Sequence, residues 1–130
     1  YKEGGQSYLT IKNFQTKPIH LIYSVSKKTV RLENKTYKTV DYPNSPWKKG
    51  LYDIEIPDTA HISSQNYSEA KMFKVWFRIG HNGDRYLHIG ARSLGCITLT
   101  EINRWDELCD ILLKARKGDG MSVGVIEVID

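Results

Sequence analysis

The sequence predicts a mainly β domain with one α-helix in its C-terminal half, and three observations indicate this fold class. Short segments of alternating apolar and polar residues recur along the first half of the chain. Turn-forming residues separate the segments, most clearly at Asn82-Gly83. The stretch 100–117 instead carries apolar residues at helical spacing. We therefore expect a mainly antiparallel sheet with a single helix packed on it.

The first half of the chain contains the alternating segments and two turn regions. The predicted strands are "SYLTIKNF" (7–14), "PIHLIYSV" (18–25), two strands within "KTVRLENKTYKTV" (28–40), and "GLYDIEI" (50–56). The two central strands are joined at Glu33-Asn34-Lys35, which is a plausible hairpin turn. The segment 41–50 carries two prolines, an asparagine and a glycine, so we expect a loop there.

The second half begins with a polar, aperiodic segment, 57–70, that predicts a long surface loop. A strand "KMFKVWFRIG" (71–80) and the returning strand "RYLHIG" (85–90) flank the two-residue hairpin signal in "HNGD". Thr100 is the expected N-cap of the helix. "MSVGVIEVID" (121–130) predicts a final strand.

Length and composition indicate one globular domain spanning 1–130. The 130 residues are 40% hydrophobic and 26% charged, and no run approaches the roughly 20 apolar residues that span a bilayer. The net charge is +4, but the lysines and arginines are scattered, which argues against a nucleic-acid-binding face. We expect a monomer with no membrane span and no nucleic-acid partner, and no leader peptide is visible in the sequence.

The two cysteines, Cys96 and Cys109, occur outside any CxxC motif, so we expect free thiols and no metal site. Cys109 falls on the apolar stripe of the helix and is expected in the core. His20 lies in a predicted strand and is expected to be packed, whereas His81 in the "HNGD" turn is expected to be solvated. Trp47, Trp76 and Trp105 are expected to pack in the core or against loops, and Trp47, close to a proline, is also a candidate to line a groove.

The stretch "RYLHIGARSLGCITL" (85–99) places His88 eight residues before Cys96. An imidazole can take the proton of a thiol, and backbone N–H groups can then hold the oxyanion formed by attack of the thiolate. Gly95 permits the backbone geometry that such donors need. A carbonyl near Ile89 or Gly90 is the expected partner of the second imidazole nitrogen.

The same residues also fit a purely structural interpretation. "GCITL" is apolar enough to be a core strand, and a strand-end histidine can simply satisfy a carbonyl group. His61 lies in the polar loop 57–70, where the pattern favours an ordinary solvated side chain and leaves a substrate contact as the alternative.

"SLGCITL" resembles the S/T-H-G-C-(I/V)-x-(L/M) segment of L,D-transpeptidase catalytic domains, which are cysteine enzymes of bacterial cell-wall cross-linking. "RYLHIG" is similar to the strand that supplies the catalytic histidine of that family. "NSPWKKGLYDIEI" and the segment "NRWDELCDILLKARKGDGMSVGVIEV" also resemble family segments, in the same order. The resemblance implies an L,D-transpeptidase-like β-sandwich or flattened barrel.

Residue by residue, the resemblance implies that Cys96 is the nucleophile and His88 the base. The backbone N–H groups of Gly95, Cys96 and Leu94 become the expected oxyanion donors, and Ser93 matches the residue that opens the motif. The expected chemistry is acyl transfer through a thioester on peptidoglycan stem peptides, with no cofactor.

The sequence departs from the family motif in three places. Leu94 replaces a second histidine, Thr98 replaces an arginine or asparagine, and the loop between His88 and Cys96 is short. Arg92 in that loop is a candidate to bind a substrate carboxylate instead. The resemblance implies a periplasmic, wall-associated or secreted location. A secreted antibacterial toxin of the same fold and a noncatalytic wall-binding module are the alternatives.

Overall fold

The computed structural model describes residues 17–40, 47–57, 75–83, 85–90 and 95–130, together with two short strands near the start of the chain. The strands are β1 (Lys2–Glu3), β2 (Gln6–Ser7), β3 (Ile19–Ser24), β4 (Thr29–Leu32), β5 (Lys35–Val40), β6 (Gly50–Glu55), β7 (Phe77–Arg78), β8 (Tyr86–Ile89), β9 (Ile97–Leu99) and β10 (Ser122–Ile129). The helix α1 (Trp105–Leu113) follows a 3-10 turn at Ile102–Arg104. Across these residues, no helix is both long and apolar enough to cross a membrane.

Eight strands form one sheet in the order β6-β10-β3-β4-β5-β9-β8-β7. Its two edges approach each other, because Ile54 of β6 forms an antiparallel bridge with Ile79, directly after β7. The Gly80 N–H also donates to the Asp53 carbonyl at 2.7 Å. The sheet is therefore nearly closed, and over the part of the chain that the structure describes the predicted mainly β fold with one α-helix is confirmed.

Most pairings are antiparallel, as predicted, but β10 with β3 and β8 with β9 are parallel. Gly124 of β10 lies opposite Ile19 of β3, and a Cβ atom at this position would overlap the Ile19 backbone. A glycine is therefore required for the two strands to approach this closely.

Alternation along β8 determines which side chains leave the core. Leu87 and Ile89 are buried, while Tyr86 and His88 are half-buried. Successive side chains of a strand point to opposite faces, so Tyr86 and His88 share the face turned away from the core. The neighbouring strand β9 is buried at all three positions, as the apolar run "GCITL" predicts.

Helix α1 packs its apolar stripe into the core, where Trp105, Leu108, Cys109 and Leu112 are fully buried, as predicted. The expected Thr100 cap is wrong, since neither helical segment has a side-chain cap. The Thr100 hydroxyl instead donates to the Lys38 carbonyl at 3.3 Å. This hydrogen bond fastens the start of the helical region to β5.

The two hairpins differ in how well the sequence predicted them. Strands β4 and β5 pair around Glu33, whose φ of +53° makes the tight turn. Between β7 and β8 the last strand pair is Arg78 with Tyr86, so the connection is longer than the predicted two-residue turn. The predicted strand 71–80 reduces to Phe77–Arg78 in the part that is described, and most of the predicted strand 7–14 and of the loop 57–70 lies outside the described residues.

Candidate active site

The parallel pairing of β8 and β9 brings the two ends of the "RYLHIGARSLGCITL" stretch together. His88 lies opposite Thr98, with Leu87 opposite Ile97. Cys96 directly precedes β9, two residues before Thr98. From the spacing of strands and the rise per residue, the Cα atoms of His88 and Cys96 are about 8 Å apart. That separation suits two side chains that meet between the strands.

The His88 imidazole has a defined hydrogen-bonding direction. Its Nδ1 lies 2.7 Å from the carbonyl oxygen of Ile89, the partner expected from the sequence. A carbonyl oxygen only accepts, so Nδ1 carries the proton and, in the neutral ring, Nε2 carries the lone pair. Nε2 is 3.4 Å from the Thr98 hydroxyl oxygen on β9. The nitrogen that can act as a base therefore faces the strand that Cys96 precedes.

An aromatic side chain covers one face of this imidazole. The rings of Trp76 and His88 are stacked with centroids 4.1 Å apart and planes 14° from parallel. Trp76 also meets the ring of Tyr86 edge-on at 5.8 Å. We expected Trp76 to be a packing residue, and its position on the ring of the candidate base was not predicted from the sequence.

The candidate nucleophile follows a glycine with a special conformation. Gly95 has φ of +122°, in the region that favours glycine, as its proposed role in the turn requires. Gly95 is buried, and the side of its α-carbon where a Cβ would stand faces the Arg85 guanidinium, with Nε 3.5 Å from that position. Arg85 in turn stacks over Trp47 at 4.7 Å. Trp47 and Arg85 line an open cavity of about 440 Å³, so the expected groove beside Trp47 is present.

Neither of the two cysteines forms a disulfide bond, as predicted, but their surroundings differ. Cys109 is fully buried on α1, and burial raises the pKa of its thiol, which keeps it protonated and unreactive. Cys96 is only half-buried. Of the two thiols, Cys96 is the one accessible to a substrate.

Several predicted site residues fall outside the described part of the chain. Ser93, Leu94, Arg92 and His61 lie there, and their roles stay predictions. Gly90 is described: it is buried, and its N–H donates to the Leu99 carbonyl at 3.0 Å. Gly90 therefore extends the β8–β9 pairing, while the orienting carbonyl belongs to Ile89.

A second histidine corrects the sequence-based expectation. His81, expected to be solvated, has Nδ1 2.8 Å from Glu55 Oε2 and Nε2 3.1 Å from Asp53 Oδ2. The hydrogen bond to Glu55 is the main cause that raises the pKa of His81. Both ring nitrogens face carboxylates, which favours the protonated form of the ring. His20, expected to be packed, is instead exposed and lies 3.3 Å from Glu127.

Charges around His81 are balanced by hydrogen bonds within the protein. Lys117 Nζ lies 2.6 Å from Asp53 Oδ1, and this contact raises the pKa of Lys117. Asp119 accepts hydrogen bonds from the backbone N–H groups of Met121 and Ser122, which lower its pKa to about 2. The Ser122 hydroxyl donates to Asp119 at 2.8 Å.

The same cluster is the place where a metal ion has to be considered. Ligand atoms of Asp53, His81 and Asp119 lie within 4.8 Å of one another. However, Lys117 and the proton of His81 already satisfy the Asp53 carboxylate, and Asp119 oxygens are engaged by Ser122. A cation would have to displace both positive groups, so the donor set fits an internal ion-pair network better than a metal centre.

Comparison with known proteins shows which solved structures share this fold. No family model matches the sequence, and no curated protein matches it. Among solved structures, L,D-transpeptidase 1 from Mycobacterium tuberculosis is similar with a TM-score of 0.56 and 18% identity, over 87% of this chain and 62% of that chain. An L,D-transpeptidase from M. tuberculosis H37Rv gives a TM-score of 0.57 and 17% identity, over 86% of this chain and 57% of that one.

A third solved structure, an L,D-transpeptidase in complex with imipenem, gives a TM-score of 0.55 and 17% identity, over 86% of this chain and 59% of that one. The chain thus covers less than two thirds of the length of each of these proteins. It has the L,D-transpeptidase fold, and it is a divergent example of it.

Proposed function

We propose that this chain is a single catalytic domain, 1–130, that carries out cysteine-dependent acyl transfer on peptidoglycan stem peptides. One observation carries the proposal: in an L,D-transpeptidase fold, Nδ1–H of His88 is bound to the Ile89 carbonyl, so that Nε2 faces the strand that Cys96 precedes. A base oriented through its other nitrogen, on a strand paired with the one that a partly exposed thiol precedes, supports the pairing of base and nucleophile that cysteine enzymes need.

The reaction begins when Nε2 of His88 takes the proton of the Cys96 thiol. The thiolate then attacks the carbonyl carbon of the L-centre residue, and the oxyanion is held by the backbone N–H groups of Gly95, Cys96 and Leu94. His88 returns the proton to the nitrogen of the departing D-amino acid, and the peptide bond breaks. The product is a thioester between the stem peptide and Cys96.

The thioester is resolved by a second nucleophile. An amine attacks it to give a cross-link or a D-amino-acid exchange product, and water attacks it to give a shortened stem peptide. In both cases His88 accepts the proton of the incoming nucleophile and the thiolate departs. No step calls for a metal or an organic cofactor.

Substrate contacts are proposed for three residues of the site, and an orienting role for a fourth. Arg92, with a guanidinium that can bind a carboxylate bidentately, replaces the contact that Thr98 does not provide. Ser93 and His61 are proposed to contact the stem peptide, and Gly90 orders the strand end from which His88 projects. The proposed setting is the periplasm, the wall or the outside of the cell, where stem peptides occur, and the proposed form is a monomer.

The test is incubation with tetrapeptide and pentapeptide muropeptides, followed by mass spectrometry. Wild type is compared with Cys96→Ala and with Cys109→Ala, which removes the buried thiol and serves as the matched control. We expect loss of the terminal D-residue or a new dimer with wild type and Cys109→Ala, and neither product with Cys96→Ala. Products that persist in Cys96→Ala, or no product with either peptide, contradict the proposal.

Imipenem provides an independent probe, because an L,D-transpeptidase of the same fold has been solved in complex with it. We expect a covalent adduct of imipenem on the peptide that contains Cys96, and no adduct on Cys109 in the folded protein. If Cys96 reacts with imipenem no faster than a free thiol does, the result favours the noncatalytic wall-binding module instead.

A further inference from the structure

The stack of Trp76 on His88 is the closest ring contact described at the candidate site. The centroid distance of 4.1 Å and the interplanar angle of 14° bring the two rings into contact over their faces. Most aromatic pairs in proteins prefer edge-to-face or offset arrangements. A face-on partner has a specific advantage when one ring becomes positively charged, because the negative face of an indole attracts a cation.

Trp76 is itself held in place by neighbouring side chains. Its ring meets the ring of Tyr86 at 5.8 Å and 63°. The Tyr86 hydroxyl accepts a hydrogen bond from Arg78 at 3.0 Å, and Arg78 forms an ion pair with Glu55 at 3.2 Å. This chain of contacts runs from β6 through β7 to β8, so the indole has little freedom to leave the imidazole.

Three groups therefore restrain the His88 ring from three sides. Ile89 holds Nδ1 at 2.7 Å, Thr98 lies 3.4 Å from Nε2, and Trp76 covers one face. The Thr98 side chain is fully buried. Rotation of the imidazole within its own plane breaks the hydrogen bond to the Ile89 carbonyl, and tilting of the ring out of that plane breaks the stack on Trp76.

Proton transfer from a thiol to His88 gives a positive charge to the imidazole that is stacked on the Trp76 indole. The products are a thiolate and an imidazolium, and the indole face attracts the imidazolium but not the neutral ring. Among the described residues, the charged and titratable groups on β8, on the two strands that pair with it or directly beside them are Arg78 on β7, Arg85 and Tyr86 at the start of β8, and Cys96 beside β9. Arg78 is neutralised by Glu55, so the indole face does not have to compete with an unbalanced guanidinium at that position.

We infer that Trp76 is a positioning residue, which fixes the plane of the His88 imidazole and stabilises its protonated form, so that the Cys96 thiolate forms near neutral pH. The inference rests on the proposed function, because it requires His88 and Cys96 to exchange a proton.

The test measures the rate of alkylation of Cys96 by iodoacetamide, resolved from Cys109 by peptide mass spectrometry. Wild type, Trp76→Phe, Trp76→Leu and His88→Gln are compared at pH 7 and at about pH 9.5, which is above the ordinary thiol pKa of about 8.5. A cation–π contact of the usual strength corresponds to a change of about 3- to 30-fold. We expect Trp76→Leu to slow alkylation by this factor at pH 7, and Trp76→Phe to slow it less.

At the higher pH the thiolate forms without help from the imidazolium, so we expect wild type and both Trp76 variants to react at similar rates. A merely structural role of Trp76 predicts equal changes at the two pH values instead, and this result overturns the inference. The inference is also overturned if Cys96 of Trp76→Leu is alkylated within twofold of the wild-type rate at pH 7 while alkylation in His88→Gln is slow.

The two proposals fail in different ways. If His88→Gln reacts as fast as wild type at pH 7, no proton exchange links His88 to Cys96, and the proposed function fails together with the inference. Trp76→Phe keeps an aromatic ring at the position, so it supplies a folded variant even where the leucine variant does not fold.

Discussion

His88 and His81 lie on or beside neighbouring strands of one sheet, yet their surroundings suit them to opposite tasks. Nδ1–H of His88 donates to a neutral acceptor, the Ile89 carbonyl, and Nε2 faces the Thr98 hydroxyl on the strand that Cys96 precedes. His81 has a carboxylate at each nitrogen. A proton held on Nδ1 by a neutral carbonyl directs the lone pair of the neutral ring to Nε2, whereas carboxylates at both nitrogens favour the protonated ring.

This difference follows from the residues that face each ring. Glu55 and Asp53 alternate with buried residues along β6 and so share the face that meets His81. His88 meets β9, whose three residues are all buried and uncharged. The two residues are both histidines, so the difference between their surroundings comes from the charges on the strand that each ring meets.

The largest expected effect separates the two histidines by reactivity. We expect His88→Gln to slow alkylation of Cys96 at pH 7 by about 100-fold, since general-base assistance contributes at least that much. His81→Gln is expected to leave the rate within about twofold, because His81 has no role in forming the thiolate. Mass spectrometry of the Cys96 peptide measures both rates, and equal slowing in the two variants contradicts the division of roles.

The second effect separates them by stability. His81→Gln removes the positive ring between Asp53 and Glu55, and we expect the free energy of unfolding to fall by about 1 kcal/mol, a modest value because the cluster is partly exposed. His88→Gln is expected to change it by less than about 0.5 kcal/mol. Urea denaturation followed by tryptophan fluorescence gives both values. A larger loss in His88→Gln than in His81→Gln reverses the comparison.

The pH dependence of stability sharpens the same point. Hydrogen bonding to Glu55 raises the pKa of His81 in the folded protein, so its contribution is fully present below the ordinary value of about 6.5. The contribution is lost as the pH rises through the raised pKa. We expect wild type to lose more stability than His81→Gln between pH 6 and pH 8.5, as measured by urea denaturation at each pH. Parallel curves for the two proteins contradict this linkage.

The smallest expected effect tests the hydroxyl beside His88. The distance of 3.4 Å between Thr98 Oγ1 and Nε2 is long for a hydrogen bond, so its net contribution is small. We expect Thr98→Val, which keeps the shape of the buried side chain, to change the alkylation rate at pH 7 by about threefold or less. A loss comparable to that in His88→Gln would instead make Thr98 essential to the base.

Local patterns predicted most of the strands and the helix because they depend on neighbours in the chain. The alternation in 50–56 and the helical spacing of Trp105 and Leu108 are examples, and both elements form as expected. The carbonyl partner of His88 was also predictable, since Ile89 is the next residue. These interactions are set by a few consecutive dihedral angles, which the sequence displays directly.

Features that depend on distant residues were not predictable in this way. The parallel pairing of β8 with β9 gives Thr98 its place beside His88, and the contact of His81 with β6 joins residues 26 and 28 positions apart. From the sequence alone Trp76 is expected only to pack in the core or against a loop, because its partner, the His88 ring, lies on the separate strand β8. The Thr100 cap failed because the helical region begins only at Ile102, while the Thr100 hydroxyl donates to the distant Lys38 carbonyl on β5.

The position of β10 in the sheet has a consequence for how the domain is made. β10 lies between β6 and β3, and its parallel register with β3 depends on Gly124. While a ribosome is still adding residues before Ser122, both neighbours lack the strand that joins them, and the sheet cannot close. Contacts between such distant parts of a chain form late and slowly. The nearly closed sheet that surrounds the candidate dyad therefore forms only after β10 has been translated, although His88 and Cys96 are synthesised earlier.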